Sequence, residues 1–571
     1  MSYYYANGKQ SVTYDAIVIG SGISGGFAAM ELCKKGYKTL VLERGRDIKH
    51  GDYPTANLDA WELGINNIVT QEEIAAHFYK QNRLSWWVRE EHKHFINKDD
   101  EYPYDEVERF DWIRGHHVGG RSLMWGRHCY RWSDIDFEAN AKEGIGVDWP
   151  IRYKDIEPWY DYVETFVGIS GQKEGLKQVP DGQFLKPFPL NCAEQHLRES
   201  VLKMFPDRVV TPGRLANLSE FKPDIHKGLR GKCQSRARCV RGCPYGAYFS
   251  SNAVTLPVAA ETGNLTLRPF SAVAEILYDK DSKRATGVRV VDTQTKESLE
   301  FFARIIFCNA STVGSTAILL NSRSDRFPNG MGNDCEELGH NMMDHHYGMG
   351  VAGTLPGFED TYYKGRKPGG FYIPRFRNID SASRQKDYLR GFGYQGQAAR
   401  STGDFSAASG AAFKEALLKP GPYQIRVTCF GEMLPHHDNK MYLNFDKLDQ
   451  NGIPTIVFDA KLRENEMALR QDGVNCGLEM LDAAGCKDLS SYNDATAPGA
   501  CIHEMGTARM GNDPKTSVLN KWNQIHEVTN VYVTDGSCMT SAATQNPSIT
   551  YMALTARAVD HAHRSINRNE L

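Results

Sequence analysis

Three cysteines stand close together in Cys233-Gln-Ser-Arg-Ala-Arg-Cys239-Val-Arg-Gly-Cys243-Pro244. This C-x5-C-x3-C spacing, ending in Cys-Pro, gathers three thiolates in one short loop and suits an iron–sulfur cluster. The residues leave two other readings open: a cysteine-containing loop without metal, and zinc, which asks for four ligands and finds no obvious fourth. The neighbours Arg236, Arg238 and Arg241 either lower the thiol pKa values or face solvent. The chain has 13 cysteines, an odd number, mostly scattered singly. Cys33, Cys308 and Cys486 lie in apolar-patterned segments and read as core thiols. The whole is not a disulfide framework.

A second chemistry-bearing pattern lies near the N-terminus. Tyr14 to Gly20 reads as a short buried strand running into Gly20-Ser-Gly22-Ile-Ser-Gly25-Gly26. A helical stretch follows, with Ala28, Ala29, Leu32 and Cys33 on one face and Gly36 at its end. Lys38 to Glu43 is a second buried strand that closes on an acid. Gly20 permits the tight turn, Gly22 lets the backbone approach a pyrophosphate, and Gly25 lets helix pack on strand. The helix N-terminus then faces the phosphates, and Glu43 is placed for a ribose hydroxyl. The combination predicts a dinucleotide site without separating FAD from NAD.

The elements that position these groups must come from a large chain. At 571 residues it exceeds the size at which one hydrophobic core keeps growing, so two joined domains are expected. Hydrophobic residues are 41%, charged residues 24% and the formal net charge is −3, an ordinary globular balance that argues against nucleic acid. No apolar run is long enough to span a membrane. Residues 1–13 are polar and Tyr-rich and lack the pattern of a signal peptide. The expectation is a cytoplasmic chain, or a periplasmic one exported with a signal-bearing partner.

Further segments recur in a telling order. His117-Val-Gly119-Gly120-Arg121-Ser122-Leu-Met124-Trp125-Gly126 is a second glycine-rich turn, followed by a segment from Asp148 to Tyr160. His503-Glu-Met-Gly506-Thr507-Ala-Arg-Met-Gly511 stands near the C-terminus, before Asn530 to Ser537 (with Asp535-Gly536) and Asn546-Pro547-Ser548. From about Tyr14 to about His563 the chain resembles the glucose–methanol–choline (GMC) oxidoreductases, least so over 345–420. The resemblance implies an α/β fold: a Rossmann-like FAD-binding domain with a second, substrate domain built on a large antiparallel sheet. The expected FAD domain is discontinuous, over 14–50, 105–135, 230–345 and 500–571. The expected substrate or cap domain takes 51–104, 136–229 and 346–499. Arg304–Ala310 with Ser311–Leu320 reads as another strand-turn-helix, and Val273 lies in a segment similar to the family's adenine-contacting strand.

The resemblance also implies roles. His503 matches the family's first catalytic position and is expected to be the general base for a hydroxyl proton. Asn546 matches the second; an amide cannot act as base, so it orients the substrate oxygen. Asn546 at the N-cap and Pro547 in the first turn read as a helix start, with Ile549, Met552, Ala553, Ala556 and Val559 as its buried face. Asp535 and Gly536 are similar to the family's contacts near the pyrophosphate and ribityl chain. His345 and His346 resemble a structural segment and are assigned no chemistry. Sugar-oxidising relatives with covalent FAD carry a His where this chain has Met124, so FAD is expected to bind non-covalently; His116, His117 and His128 are the alternative attachment points.

The cysteine spacing is similar to that of family members that carry a [3Fe–4S] cluster and pass electrons to a cytochrome. The expected function is therefore an FAD-dependent dehydrogenase that oxidises a sugar or glycoside hydroxyl at C1, C2 or C3. Electrons would leave through a cluster toward a small subunit and a cytochrome c acceptor. An oxygen-using oxidase of the same fold, an FAD-containing lyase and a non-catalytic subunit are the alternatives. Trp86, Trp87 and Trp125 could stack on sugar rings or simply pack.

Overall fold

The computed structural model describes residues 13–84, 86–361, 363, 365–402, 409–494 and 497–571. Strand Thr13–Ile19 pairs in parallel with Thr39–Leu42 on one side and Ser298–Cys308 on the other. Leu265–Arg268 extends the parallel set beyond Thr39–Leu42, and Val531–Tyr532 pairs with the end of Ser298–Cys308. Ser271–Asp279 and Arg284–Asp292 complete this seven-stranded sheet as an antiparallel edge. The central strands are buried on both faces, which is why Ala16–Ile19 and Leu40–Leu42 read as unbroken apolar runs.

Helices cover this sheet. Ile23–Lys34 follows the first glycine turn and packs against the C-terminal helix Ser548–Asn567, which in turn packs on Tyr153–Val167. The spaced set Ile549, Met552, Ala553, Ala556 and Val559 is buried, as its periodicity predicts. Ser311–Asn321 follows Ser298–Cys308 as the second strand-turn-helix.

The second layer is a six-stranded antiparallel sheet with its own core. Strands His345–Leu355, Pro420–Glu432 and Phe392–Thr402 form its centre. Lys487–Asn493 flanks one side, and Phe371–Ile373 with Thr211–Pro212 the other. Helices Glu464–Ala483 and Cys192–Met204 back it. A three-stranded sheet of Lys440–Leu448, Pro454–Asp459 and Tyr104–Glu106 packs its Met441 and Phe458 with Val313 and Trp112. No helix among the described residues is long and apolar enough to cross a membrane.

Candidate active site

The first glycine turn is built by close approach. Gly20 has φ +90°, and a Cβ there would stand 2.5 Å from the Asn309 carbonyl oxygen. A Cβ on Gly25 would stand 1.9 Å from the Gly20 carbonyl oxygen, so the helix sits on the turn only because both residues are bare. Gly22, by contrast, faces open space. The helix Ile23–Lys34 has no side-chain cap, which leaves its first N–H groups without a side-chain acceptor. This is a cradle for an anion.

Glu43 closes the turn. Its carboxylate accepts from Ser21 Oγ at 2.5 Å, Ser21 N at 3.2 Å and Gly45 N at 3.0 Å. Burial raises its pKa, and the donors from Ser21 and Gly45 oppose that rise. Ser21 Oγ also accepts from Gly119 N at 3.0 Å, so the two glycine turns are hydrogen-bonded to each other. Asp535 is held in the same manner by Ser315 Oγ at 2.6 Å and Ser537 Oγ at 2.6 Å.

One cavity runs from Gly20, Gly22 and Glu43, past Gly120, Ser122 and Val273, to Asp535, Gly536, His503 and Asn546. Of the residues singled out in the sequence, Gly25, Gly119, Met124 and Pro547 stand behind this lining among the described residues. Gly25 and Gly119 serve packing: a Cβ on Gly119 would stand 1.6 Å from Asn252 Oδ1. Met124 is buried in an apolar cluster with Phe95 and Leu123, while Trp125 next to it reaches the cavity. His116 and His128 line the cavity; His117 is buried behind it. Trp86 and Trp87 stack on each other at 4.2 Å, outside the lining. The anion cradle, the buried Glu43 and a lining that runs on to His503 and Asn546 fit an FAD whose reactive end reaches that pair.

His503 comes from a loop under strain. Ile502, a β-branched residue, has φ +61°, a costly conformation that needs support from its surroundings. Asp344 supplies it, accepting from the backbone N–H groups of Gly499 at 2.8 Å, Cys501 at 3.1 Å and His503 at 2.9 Å. Burial, and then the charge of Glu504, push the Asp344 carboxyl up to about 7. Glu504 forms a two-pronged ion pair with Arg121 at 2.9 and 2.6 Å, tying the His503 loop to the second glycine turn.

The imidazole of His503 is held from both sides. Its Nδ1 stands 2.9 Å from His345 Nδ1 and 3.3 Å from Cys501 Sγ. His345 Nε2 faces the Ala542 carbonyl oxygen at 3.2 Å. A carbonyl only accepts, so His345 carries its proton on Nε2 and offers a lone pair at Nδ1. His503 therefore donates from Nδ1 and keeps a lone pair on Nε2. Asn546 Nδ2 donates to that Nε2 at 3.2 Å, and Gln395 Nε2 donates to Asn546 Oδ1 at 2.6 Å. Burial, followed by the neighbouring His345, Arg121 and His128, holds the His503 pKa well below its ordinary value. The result is a neutral imidazole whose Nε2 lone pair accepts from Asn546 on the cavity side.

Two sequence expectations change here. His345, assigned no chemistry, is a direct partner of His503. Asn546 is not the helix cap: the helix starts at Ser548 with Pro547 at its N-cap, and no side-chain cap bond is made. The Asn546 amide is taken by Gln395 and His503 instead.

The cysteine loop lies beside this cavity. Cys233, Cys239 and Cys243 are half-buried. Burial raises the Cys233 thiol pKa, with a further rise from Cys239 and Cys243. The arginines do not serve the thiols. Arg238 pairs with Asp59 at 2.5 Å, Arg241 pairs with Glu91 at 2.8 Å, and Arg236 donates to the Ala56 carbonyl at 2.6 Å. Arg127 lines the cavity from a backbone at φ +67°, and its guanidinium reaches the Cys239 carbonyl at 3.5 Å.

Comparison with known proteins is in accord with this geometry. A family model described as GMC oxidoreductase matches residues 14–347, and a second of the same description matches 435–555. The chain is 28% identical to 2-methyl-1,2-propanediol dehydrogenase of Mycolicibacterium austroafricanum, over 96% of this chain and 95% of that one. It is 24% identical to the fructose dehydrogenase large subunit of Gluconobacter japonicus, over 97% and 98%. Among solved structures, formate oxidase of Aspergillus oryzae superposes with a TM-score of 0.61 at 14% identity, covering 99% of this chain and 100% of that one. Pyridoxine 4-oxidase from Mesorbium loti gives 0.60 at 15%, covering 96% and 99%. At these identities the structural likeness speaks for the fold.

Proposed function

The chain belongs to the GMC oxidoreductase family and is an FAD-dependent oxidoreductase of CH–OH groups; on that premise we propose that it is a dehydrogenase that oxidises a hydroxyl of a sugar or glycoside at C1, C2 or C3. The observation that carries this reading is the His503–Asn546 pair, 3.2 Å apart, at the end of the FAD-shaped cavity. His503 Nε2 takes the hydroxyl proton. The Asn546 amide, held by Gln395, donates to the same oxygen and orients the carbon. FAD held in this cavity would supply the hydride acceptor. Gly20, Gly22, Glu43, Gly120, Ser122, Val273, Asp535 and Gly536 hold the cofactor without a covalent bond, since Met124 offers only a buried thioether. The sugar class is supported by a relative named for fructose at 24% identity.

In this reading Cys233, Cys239 and Cys243 would hold a [3Fe–4S] cluster, which would supply one-electron transfer toward a small subunit and a cytochrome c. The C-x5-C-x3-C spacing and the contact of Arg127, which lines the cavity, with the Cys239 carbonyl support it. The test is an anaerobic absorbance spectrum of the purified protein, with iron and sulfide analysis, before and after glucose and a methyl glucoside. Flavin bleaching with about three irons per chain is the expected result. Bleaching without iron leaves an oxidase or dye-linked dehydrogenase. No bleaching with any sugar refutes the substrate class.

A further inference from the structure

We propose that His345, Cys501 and His503 form a binding site for one soft divalent cation, with zinc as the fitting ion, and that the bound ion switches the enzyme off. The inhibitory half of this inference rests on His503 being the base. His345, Cys501 and His503 each offer one donor atom, and the three atoms lie within 4.8 Å of one another. The nitrogens are 2.9 Å apart and Cys501 Sγ is 3.3 Å from His503 Nδ1. Zinc bonds of about 2.0 Å to nitrogen and 2.3 Å to sulfur set tetrahedral donors about 3.3 to 3.6 Å apart. Seating an ion needs the His345 and His503 nitrogens to part by a few tenths of an ångström and the two rings to turn so that both Nδ1 lone pairs face it.

The backing of the site suits a metal. His345 already presents Nδ1 as a lone pair, because its Nε2–H is spent on the Ala542 carbonyl. A metal-bound imidazole is ordinarily braced in this manner. Two imidazoles and a thiolate favour zinc-like ions over magnesium or calcium. Three protein donors leave a fourth position for water. The Asp344 carboxyl, bonded to the backbone of Cys501 and His503, fixes the loop that carries two of the donors.

Seating the ion moves two protons. The Cys501 thiol releases its proton to solvent as sulfur binds. The His503 Nδ1 proton is displaced and returns on Nε2, so that ring stays neutral. One proton leaves per ion bound, and no oxidation or reduction is involved. Nε2–H now faces the Asn546 amide, which must turn Oδ1 toward it and break the bond from Gln395. The ion therefore removes the base and disturbs the orienting amide from behind, without standing where the substrate lies. Turnover falls while the KM for the alcohol changes little.

The test uses the FAD-loaded enzyme with zinc and with cadmium-113. Zinc is expected to lower kcat by about 10² at saturation, reversibly on chelation. A cadmium resonance in the range of one thiolate with two imidazoles should appear, should survive Cys239→Ala, and should vanish in Cys501→Ala and Cys501→Ser. Cadmium held only at the Cys233–Cys243 loop, or full turnover with the cadmium site filled, would overturn the inference. Flavin content reports whether each variant has folded. An enzyme that oxidises no alcohol sinks the proposed function instead, while the cadmium resonance still decides the site.

Discussion

His345 Nδ1 lies 2.9 Å from His503 Nδ1, and the far nitrogen of each ring ends on a group that settles where its proton sits. The Ala542 carbonyl holds a proton on His345 Nε2, which leaves His503 to donate from Nδ1 and to accept at Nε2. The pair does for the base what a buried carboxylate does in a hydrolase triad, with a neutral partner in place of a charged one. His345→Leu is expected to lower kcat by about 10² with a smaller change in KM and normal flavin content. His345→Gln, whose amide oxygen can accept from Nδ1, should recover part of the loss. Equal kcat for His345→Leu and the parent enzyme, across the pH profile, would remove His345 from this role.

Gln395 acts one step further out. Its amide fixes Asn546 Oδ1 and so turns Nδ2 toward His503. Gln395→Leu leaves the Asn546 amide free to rotate, and kcat/KM should fall by about tenfold, the worth of one misdirected hydrogen bond. Asn546→Ala should cost more, since it removes the donor itself. A Gln395→Leu enzyme with unaltered kcat/KM would show that Asn546 is oriented by other means.

The Arg121–Glu504 pair joins the second glycine turn to the His503 loop, with Glu504 fully buried. Removing one partner of a buried pair strands the other charge, at about 3–5 kcal/mol. Arg121→Met should therefore lower the denaturation midpoint and the fraction of chain that retains flavin. The double variant Arg121→Met with Glu504→Leu should be the more stable of the two. The reverse ranking would place the energy of this contact elsewhere.

Buried neutral imidazoles predict acid sensitivity. Burial lowers His117 to about 4, His226 to about 4 and His128 to about 3. In the unfolded chain these groups protonate near pH 6.5, while the folded chain resists until pH 4 or below. Below pH 6.5 the unfolded state thus binds more protons, and stability falls as pH falls. Denaturation midpoints measured from pH 7.5 to 5 should be flat above about 7 and decline below it. A midpoint that holds steady down to pH 5 would mean that these rings protonate without unfolding the chain.

How much was legible in the sequence depended on the reach of each signal. The first glycine turn was readable because its strand, turn, helix and second strand are adjacent, and each glycine answers a local steric demand. The cysteine spacing was readable for the same reason. His345 and Gln395 were not, because they stand 158 and 151 residues from the partners they serve. The one local hint was a buried Asp344-His345-His346 at the head of a strand, which reads equally as structure. Asn546 was misread as a cap because Asn before Pro is a strong local signal; two long-range partners outbid the helix for its amide.

By itself the sequence determined the α/β plan and the first glycine turn, since these rest on short segments whose residue types allow few alternatives; the expectation that His503 is the base came from the family resemblance. Only the tertiary structure decided which proton the base carries and which way the amide points. Those depend on Ala542, His345 and Gln395 arriving from separate strands and loops. A hydrogen bond is set by the position of both ends, and a chain read in order shows only one end at a time.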